Sequence, residues 1–174
     1  MIPPHIIVAT GSRRATDESL ITGALSVLYH LHPGARLYVG DAPGADRLLT
    51  VTWAHLHERR TVAVARADGL IRRFDADWTA PCDPVTCQPG HRRTRADDTG
   101  YCPAAGPRRN DLMCTCAAEV SRDHGISVTT LAVYKLGELN HGTADCVNAM
   151  RRHGLPAPVN LMEAPVQGND IPSK

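Results

Sequence analysis

Lysine is almost missing from this 174-residue chain, in which 17 of the 19 basic residues are arginines. The 18 acidic residues leave a net charge of +1, which provides no basic field for DNA or for an anionic membrane. Aromatic residues make up 4% of the chain, too few for an extended surface that stacks single-stranded nucleic acid. No apolar run approaches the roughly 18 residues of a membrane span, and the first residues lack the pattern of a secretory signal. We therefore expect a cytoplasmic protein with an aliphatic core.

Segments typical of strands and helices alternate along the chain. Apolar runs predict five strands, at 5–11, 35–40, 61–65, 128–134 and 157–162. Amphipathic stripes predict four helices, at 17–31, 44–60, 108–124 and 143–153, and Thr16 or Asp17 is the predicted cap of the first. This alternation predicts an α/β fold, a Rossmann-like three-layer sandwich of about five parallel strands with helices on both faces. We expect one domain over residues 1–163, interrupted by an insert at 79–103 and followed by an extended tail at 164–174.

Glycine-rich polar clusters follow the predicted strands, where parallel sheets bind their ligands. The clusters read TGSRR at 10–14, GDAPGAD at 40–46, AAGPRRND at 104–111 and NHGTAD at 140–145. Helix amides, arginines and hydroxyls at these places favour an anion. Taken singly, each cluster is equally consistent with helix capping or with solvated arginines. Together they predict a polar cleft for a nucleotide or a sugar phosphate.

The order of these four motifs resembles the SLOG superfamily, named for the Smf/DprA and LOG proteins, and especially its small stand-alone YspA-like branch. The resemblance spans roughly residues 5–163 and implies a Rossmann-like fold that binds nucleotides or nucleotide-derived ligands. LOG-like proteins commonly form dimers, so a homodimer is one expectation. By motif, the resemblance implies these ligand-binding residues: Gly11, Ser12, Arg13, Gly40, Gly44, Asp46, Gly106, Arg108, Arg109, Asn110, Gly142 and Thr143.

The LOG enzymes are phosphoribohydrolases, and this chain departs from their motif PGGxGTxxE at the catalytic glutamate. Thr143 matches the motif threonine, but Cys146 stands at the glutamate position and Asp145 lies one residue early. One residue turns a helix by about 100°, so Asp145 need not face the same cleft. Asp46 or Asp145, with Arg109, are the residues that would have to carry such a reaction.

Four metal-binding residue types are spaced closely inside the insert. Cys82, Cys87, His91 and Cys102 form the pattern C-x4-C-x3-H-x10-C, which suits a closed tetrahedral Cys3His set. The segment has too few apolar residues to fold by burial, and a metal would supply the missing ordering energy. We predict a structural Zn²⁺; free thiols in a disordered loop and a disulfide are the alternatives.

Three functions compete on this evidence. The first is a sensor, carrier or sequestering protein for a nucleotide-like small molecule, which needs a cleft but no catalytic carboxylate. The second is a phosphoribohydrolase that cleaves the N-glycosidic bond of a nucleoside monophosphate, which requires Asp46 or Asp145 in the cleft beside Arg109. The third is a DprA-like DNA-binding module, against which the net charge of +1 argues. No membrane partner is expected.

Overall fold

The computed structural model describes residues 4–15, 17–58, 60–134 and 141–161. The strands are β1 (His5–Gly11), β2 (Arg36–Val39), β3 (Ile71–Arg73), β4 (Arg93–Thr94), β5 (Gly100–Tyr101), β6 (Ser127–Val133) and β7 (Val159–Asn160). The helices are α1 (Glu18–Leu31), α2 (Ala45–Leu56), α3 (Val62–Ala67), α4 (Ala105–His124) and α5 (His141–Arg152). Within this part of the chain, no helix combines the length and the apolar character needed to cross a bilayer.

Five strands form one parallel sheet in the order β3-β2-β1-β6-β7. From β1 the chain moves outward to β2 and β3, and then returns to place β6 on the other side of β1. The strand order therefore reverses between β1 and β6, and a crevice opens beyond the carboxyl ends of these two strands. The predicted α/β fold with about five parallel strands is confirmed.

Alternate residues of β1 supply the two hydrophobic layers of the molecule. Ile7 and Ala9 face the layer of α1, α2 and α3, whereas Ile6 and Val8 face α4 and α5. This alternation follows from the two-residue period of a strand, and it explains why residues 6–9 of β1 are all apolar. Helices thus cover both faces of the sheet, as the sequence predicts.

The predicted strand at 61–65 is wrong, because this segment begins helix α3. The Thr61 side chain accepts a hydrogen bond from the Val64 backbone N–H and caps that helix. Periodicity cannot separate a short apolar run in a strand from one in a buried helix. The strand itself follows at β3, where Ile71 is buried but Arg72 and Arg73 are exposed.

Helix α1 begins where its cap was predicted. The Asp17 carboxylate accepts hydrogen bonds from the backbone N–H groups of Ser19 and Leu20. Thr16, the other predicted cap, lies outside the described residues, as does the predicted tail at 164–174.

The segment 79–103 leaves the sheet layers and forms a lobe of its own, which we call the cysteine loop. Strands β4 and β5 pair there as a short antiparallel hairpin. Asp83 accepts hydrogen bonds from the Val85 N–H and the Thr86 hydroxyl, and Asp97 accepts them from the N–H and the hydroxyl of Thr99, which makes local turns. Cys87 and Cys102 are the buried residues of the cysteine loop, whereas Val85 is 89% exposed.

Candidate functional site

A cleft of about 330 Å³ lies at the point where the strand order reverses. Its walls come from the segments after β1 and β2, from the start of α4 and from the start of α5. The residues with functional groups along it are Thr10, Arg13, Asp41, Asp46, Trp78, Arg109, Asn110, His141 and Thr143. The cleft therefore brings together side chains from all four clusters that the sequence places after strands.

A buried guanidinium and two carboxylates form the ionic centre of the cleft. Arg109 Nη1 lies 3.2 Å from Asp41 Oδ1 and 3.5 Å from Asp46 Oδ2. The Arg109 side chain is 9% exposed and that of Asp46 is 5% exposed. Asp46 Oδ2 also accepts a hydrogen bond from the Ala42 backbone N–H, and Asp41 Oδ2 accepts one from the Ala76 N–H.

Two buried polar atoms of this centre have no hydrogen-bond partner among the described residues. They are the acceptor Asp46 Oδ1 and the donor Arg109 Nε. A buried polar group that is left unpaired costs roughly 1–3 kcal/mol, so native proteins pair nearly all of them. Burial also raises the pKa of the Asp46 carboxyl to about 6, although the Arg109 guanidinium acts in the opposite direction. The arrangement can accept a hydrogen bond from a ligand and can hold a proton near neutral pH.

Two glycines, Gly40 and Gly44, leave the space in which the side chains and loops of the ionic centre fit. A Cβ at Gly40 would overlap the Arg109 guanidinium and would lie 2.5 Å from Asp46 Oδ2. Gly44 has φ +83°, and a Cβ there would overlap the backbone of Arg13. A side chain at Gly40 would therefore displace Arg109, and one at Gly44 would separate the loops after β1 and β2.

The predicted ligand-binding residues divide between the cleft and its surroundings. Those that line the cleft are Gly11, Arg13, Asp46, Gly106, Arg109, Asn110, Gly142 and Thr143. The other four support it from outside or face elsewhere. Ser12 is buried and accepts a hydrogen bond from the Arg14 N–H, Gly40 and Gly44 shape the backbone as above, and Arg108 turns away from the cleft.

Asp145 and Cys146, the residues compared with the catalytic glutamate of the LOG enzymes, do not line the cleft. Asn110 Nδ2 donates a hydrogen bond to Asp145 Oδ2 at 3.0 Å, which draws this carboxylate toward α4. Cys146 is fully buried in the layer between the sheet and helices α4 and α5. Of the three tentative catalytic residues, the structure therefore places Asp46 and Arg109 side by side in the cleft and leaves Asp145 outside.

Four residues with functional groups in the cleft were not among the predicted site residues, namely Thr10, Asp41, Trp78 and His141. Thr10 and His141 belong to the clusters that the sequence places after strands. Asp41 belongs to the GDAPGAD motif, and its place directly after a strand was a signal that could have found it. Trp78 stands alone between β3 and the cysteine loop, and no local pattern marks it. It reaches the cleft through long-range packing, which the sequence alone does not show.

The four predicted metal ligands come together in the cysteine loop. Their ligand atoms lie within 4.8 Å of one another, and none of these cysteines forms a disulfide. Zn–S bonds of about 2.3 Å in a tetrahedron place two sulfurs about 3.8 Å apart, which is the distance between the Sγ atoms of Cys87 and Cys102. Nε2 of His91 lies 3.1 Å from Cys82 Sγ and 3.3 Å from Cys102 Sγ, against about 3.6 Å in that geometry. The set can hold a metal ion.

Arg108 serves the thiol cluster rather than the cleft. Its Nη1 lies 3.5 Å from Cys87 Sγ, and its Nη2 lies 3.6 Å from Cys102 Sγ. Burial would raise the pKa of Cys102, but the Ala104 backbone N–H and the His91 side chain lower it to about 6. Thiolates are the metal-binding form of cysteine, so both features favour coordination. The two adjacent arginines of α4 thus serve two different sites.

Comparison with known proteins gives little more. No family model matches the chain, and no curated protein matches it. Among solved structures, it resembles DNA processing protein A from Helicobacter pylori, which was described for its single-stranded DNA binding mode. The TM-score is 0.40 and the identity 13%, over 91% of this chain and 77% of that one. A likeness of this size carries no argument about function, so the SLOG resemblance stays a prediction.

Proposed function

We propose that the cleft binds a nucleotide or a nucleotide-derived sugar phosphate, and that the protein acts as a sensor, carrier or sequestering protein. We also propose that it belongs to the SLOG superfamily, in its YspA-like branch, and that the cysteine loop holds a structural Zn²⁺. The DprA-like DNA-binding alternative stays a prediction without an observation of its own.

Two buried atoms support the ligand proposal: Asp46 Oδ1 and Arg109 Nε, neither of which has a hydrogen-bond partner in the part of the chain that the structure describes. A ligand that satisfies both must offer a hydrogen-bond donor and an acceptor within a few ångströms of each other. Ribose hydroxyls supply donors, and phosphate or base atoms supply acceptors. Arg13 and the start of α5, at Gly142 and Thr143, add positive charge and helix-end potential to the same cleft.

The test is isothermal titration of the protein with the four nucleoside monophosphates and with ribose 5-phosphate. Asp46→Asn removes the charge that a hydroxyl would bond, and we expect it to weaken binding about tenfold or more. Asp68→Asn is the matched control, because that carboxylate pairs with Arg60 outside the cleft, and it should leave affinity within about twofold. If the wild-type protein binds none of these probes, or if both variants lose affinity equally, the proposal is wrong.

A phosphoribohydrolase is the second candidate, and the raised pKa of Asp46 beside Arg109 favours it. A carboxyl that holds a proton near neutral pH can serve as a general acid or base. Release of free base from a bound nucleoside monophosphate, followed by chromatography, separates the two functions. Hydrolysis that disappears in Asp46→Asn supports the enzyme, whereas recovery of intact nucleotide supports the binding protein.

A further inference from the structure

Trp78 is the aromatic side chain of the cleft, and it lies outside the four motifs that follow the strands. The chain has two tryptophans, and they differ in environment. Trp53 is fully buried in the core, whereas Trp78 is half-buried and lines the cleft together with Pro103 and Gly106. Part of the indole is therefore available to a molecule in the cleft.

The indole is held between the first turn of α4 and the cysteine loop. A Cβ at Gly106 would lie 3.2 Å from Trp78 Cη2, so the ring rests on this glycine. On the other side, Tyr101 packs against the ring edge-to-face, with centroids 6.2 Å apart and planes at 71°. An indole fixed in this way loses little conformational entropy when a ligand packs against it.

Backbone contacts connect Trp78 to the metal ligands. The Cys102 N–H donates to the Trp78 carbonyl oxygen at 3.0 Å. Arg92 donates to the carbonyl oxygens of Ala80 and Gly100 at 2.8 and 2.9 Å, which ties the two ends of the cysteine loop together. Cys102 is therefore both a candidate metal ligand and a direct backbone partner of Trp78, so a metal ion bound there would restrain the backbone at Trp78.

We propose that Trp78 provides the stacking surface for the base of the ligand, and that occupancy of the Cys82/Cys87/His91/Cys102 site sets affinity by holding Trp78. This inference rests on the proposed nucleotide-binding function and assigns it a recognition element outside the sheet. Stacking of a base on an aromatic side chain changes affinity by roughly 5- to 150-fold when the ring is removed. The same ring makes no such contribution to a sugar phosphate, which has no base.

The experiment compares AMP with ribose 5-phosphate in isothermal titrations of the zinc-loaded protein. We expect Trp78→Ala to weaken AMP binding by roughly 5- to 150-fold and to leave ribose 5-phosphate within about twofold. Trp78→Phe, which keeps an aromatic face, should retain AMP affinity within about fivefold. An equal loss for both probes, or no loss of AMP affinity, would overturn the proposal while leaving the proposed function in place. Absence of binding of either probe to the wild-type protein would overturn both.

A second measurement tests the link to the metal and guards against misfolding of the alanine variant. Chelator-treated wild-type protein, with metal loss verified by native mass, should lose AMP affinity as Trp78→Ala does and keep ribose 5-phosphate binding. AMP should quench the fluorescence of the wild-type protein and of Trp53→Phe, but not that of Trp78→Phe. Unchanged AMP affinity after metal loss, or quenching that survives in Trp78→Phe, contradicts the inference.

Discussion

The sheet and the cysteine loop are ordered by different physics within one chain. The sheet buries aliphatic side chains on both faces, such as Ile6, Ile7 and Val8 of β1, all of which are fully buried. The cysteine loop buries Cys87 and Cys102, and it exposes Val85. Hydrophobic burial therefore stabilises the sheet, whereas the cysteine loop contains local carboxylate turns and a Cys3His set that a bound metal ion would hold together.

This difference implies two levels of stability in the folded protein. Loss of the metal should release the cysteine loop and leave the sheet folded, whereas a cavity in the core should weaken the sheet and leave the metal bound. The cleft takes walls from both parts, namely Arg109 and Asp46 from the sheet layers and Trp78 from beside the cysteine loop. The following changes test whether the two levels are separable, in order of expected effect.

The largest effect is expected from removal of one metal ligand. Cys102→Ser should abolish stoichiometric zinc binding, which is worth about 10–16 kcal/mol in zinc-finger peptides. Hydrogen exchange should then speed up across 79–103, while β1 and β6 stay protected. Cys116→Ser is the control, because its Sγ lies outside the cluster and accepts from Arg72 at 3.4 Å. A Cys102→Ser protein that retains zinc in native mass spectra, or a sheet that unfolds with it, would refute the separation.

A smaller effect is expected from a cavity in the sheet core. Leu49 of α2 is fully buried, and Leu49→Ala should lower the free energy of unfolding by about 2–5 kcal/mol. Val51 of the same helix is 49% exposed, so Val51→Ala should change it by about 0.5 kcal/mol or less. Denaturant titration measures both variants. Zinc stoichiometry should stay unchanged in Leu49→Ala; its loss would show that the two regions are coupled.

The smallest effect on the free energy of unfolding is expected from the charge of Asp46, in the cleft between the sheet layers and the cysteine loop. With its pKa raised from 3.8 to about 6, the folded state holds a proton in a window where the unfolded state does not. Stability from this group therefore increases as pH falls from about 6 to about 4, and ionisation at pH 7 costs about 3 kcal/mol at most. Asp46→Asn should raise the free energy of unfolding at pH 7 by about 1–3 kcal/mol.

The pH dependence of that gain is the sharper observation. His5 has the opposite effect on the pH dependence of stability. Burial and the charge of His32 lower its pKa from 6.5 to about 4, so His5 makes the free energy of unfolding decrease as pH falls through that window. Subtracting the stability curve of Asp46→Asn from that of the wild-type protein isolates Asp46. A difference that is flat between pH 4 and 7 would contradict the assigned pKa.

Much of the sheet and of the thiol cluster was predictable because local patterns encode them. The bounds of β1 follow from an apolar run that ends at Gly11, and the start of α1 follows from its Asp17 cap. The four predicted metal ligands share one loop, so their spacing in the sequence was enough to predict that they lie close together: Cys82, Cys87, His91 and Cys102.

The remainder depends on packing that no short window shows. Val62–Ala67 forms a helix that Thr61 caps. The edge position of the sheet next to β2 is taken instead by β3, which follows this helix in the chain. Arg108 and Arg109 are equivalent in the motif, yet a turn of about 100° per residue directs one to the thiols and the other to the cleft. The location of Asp46 in the cleft was predictable from its position after a strand, but the lack of a partner for its Oδ1 among the described residues was not.

The outer strands of the sheet are very short. Within the described residues, β3 has three residues and β7 has two, and β3 carries the exposed Arg72 and Arg73. Such edges offer few free backbone groups and present charge to an incoming strand. Edge-to-edge pairing of two copies is therefore disfavoured at these described strands.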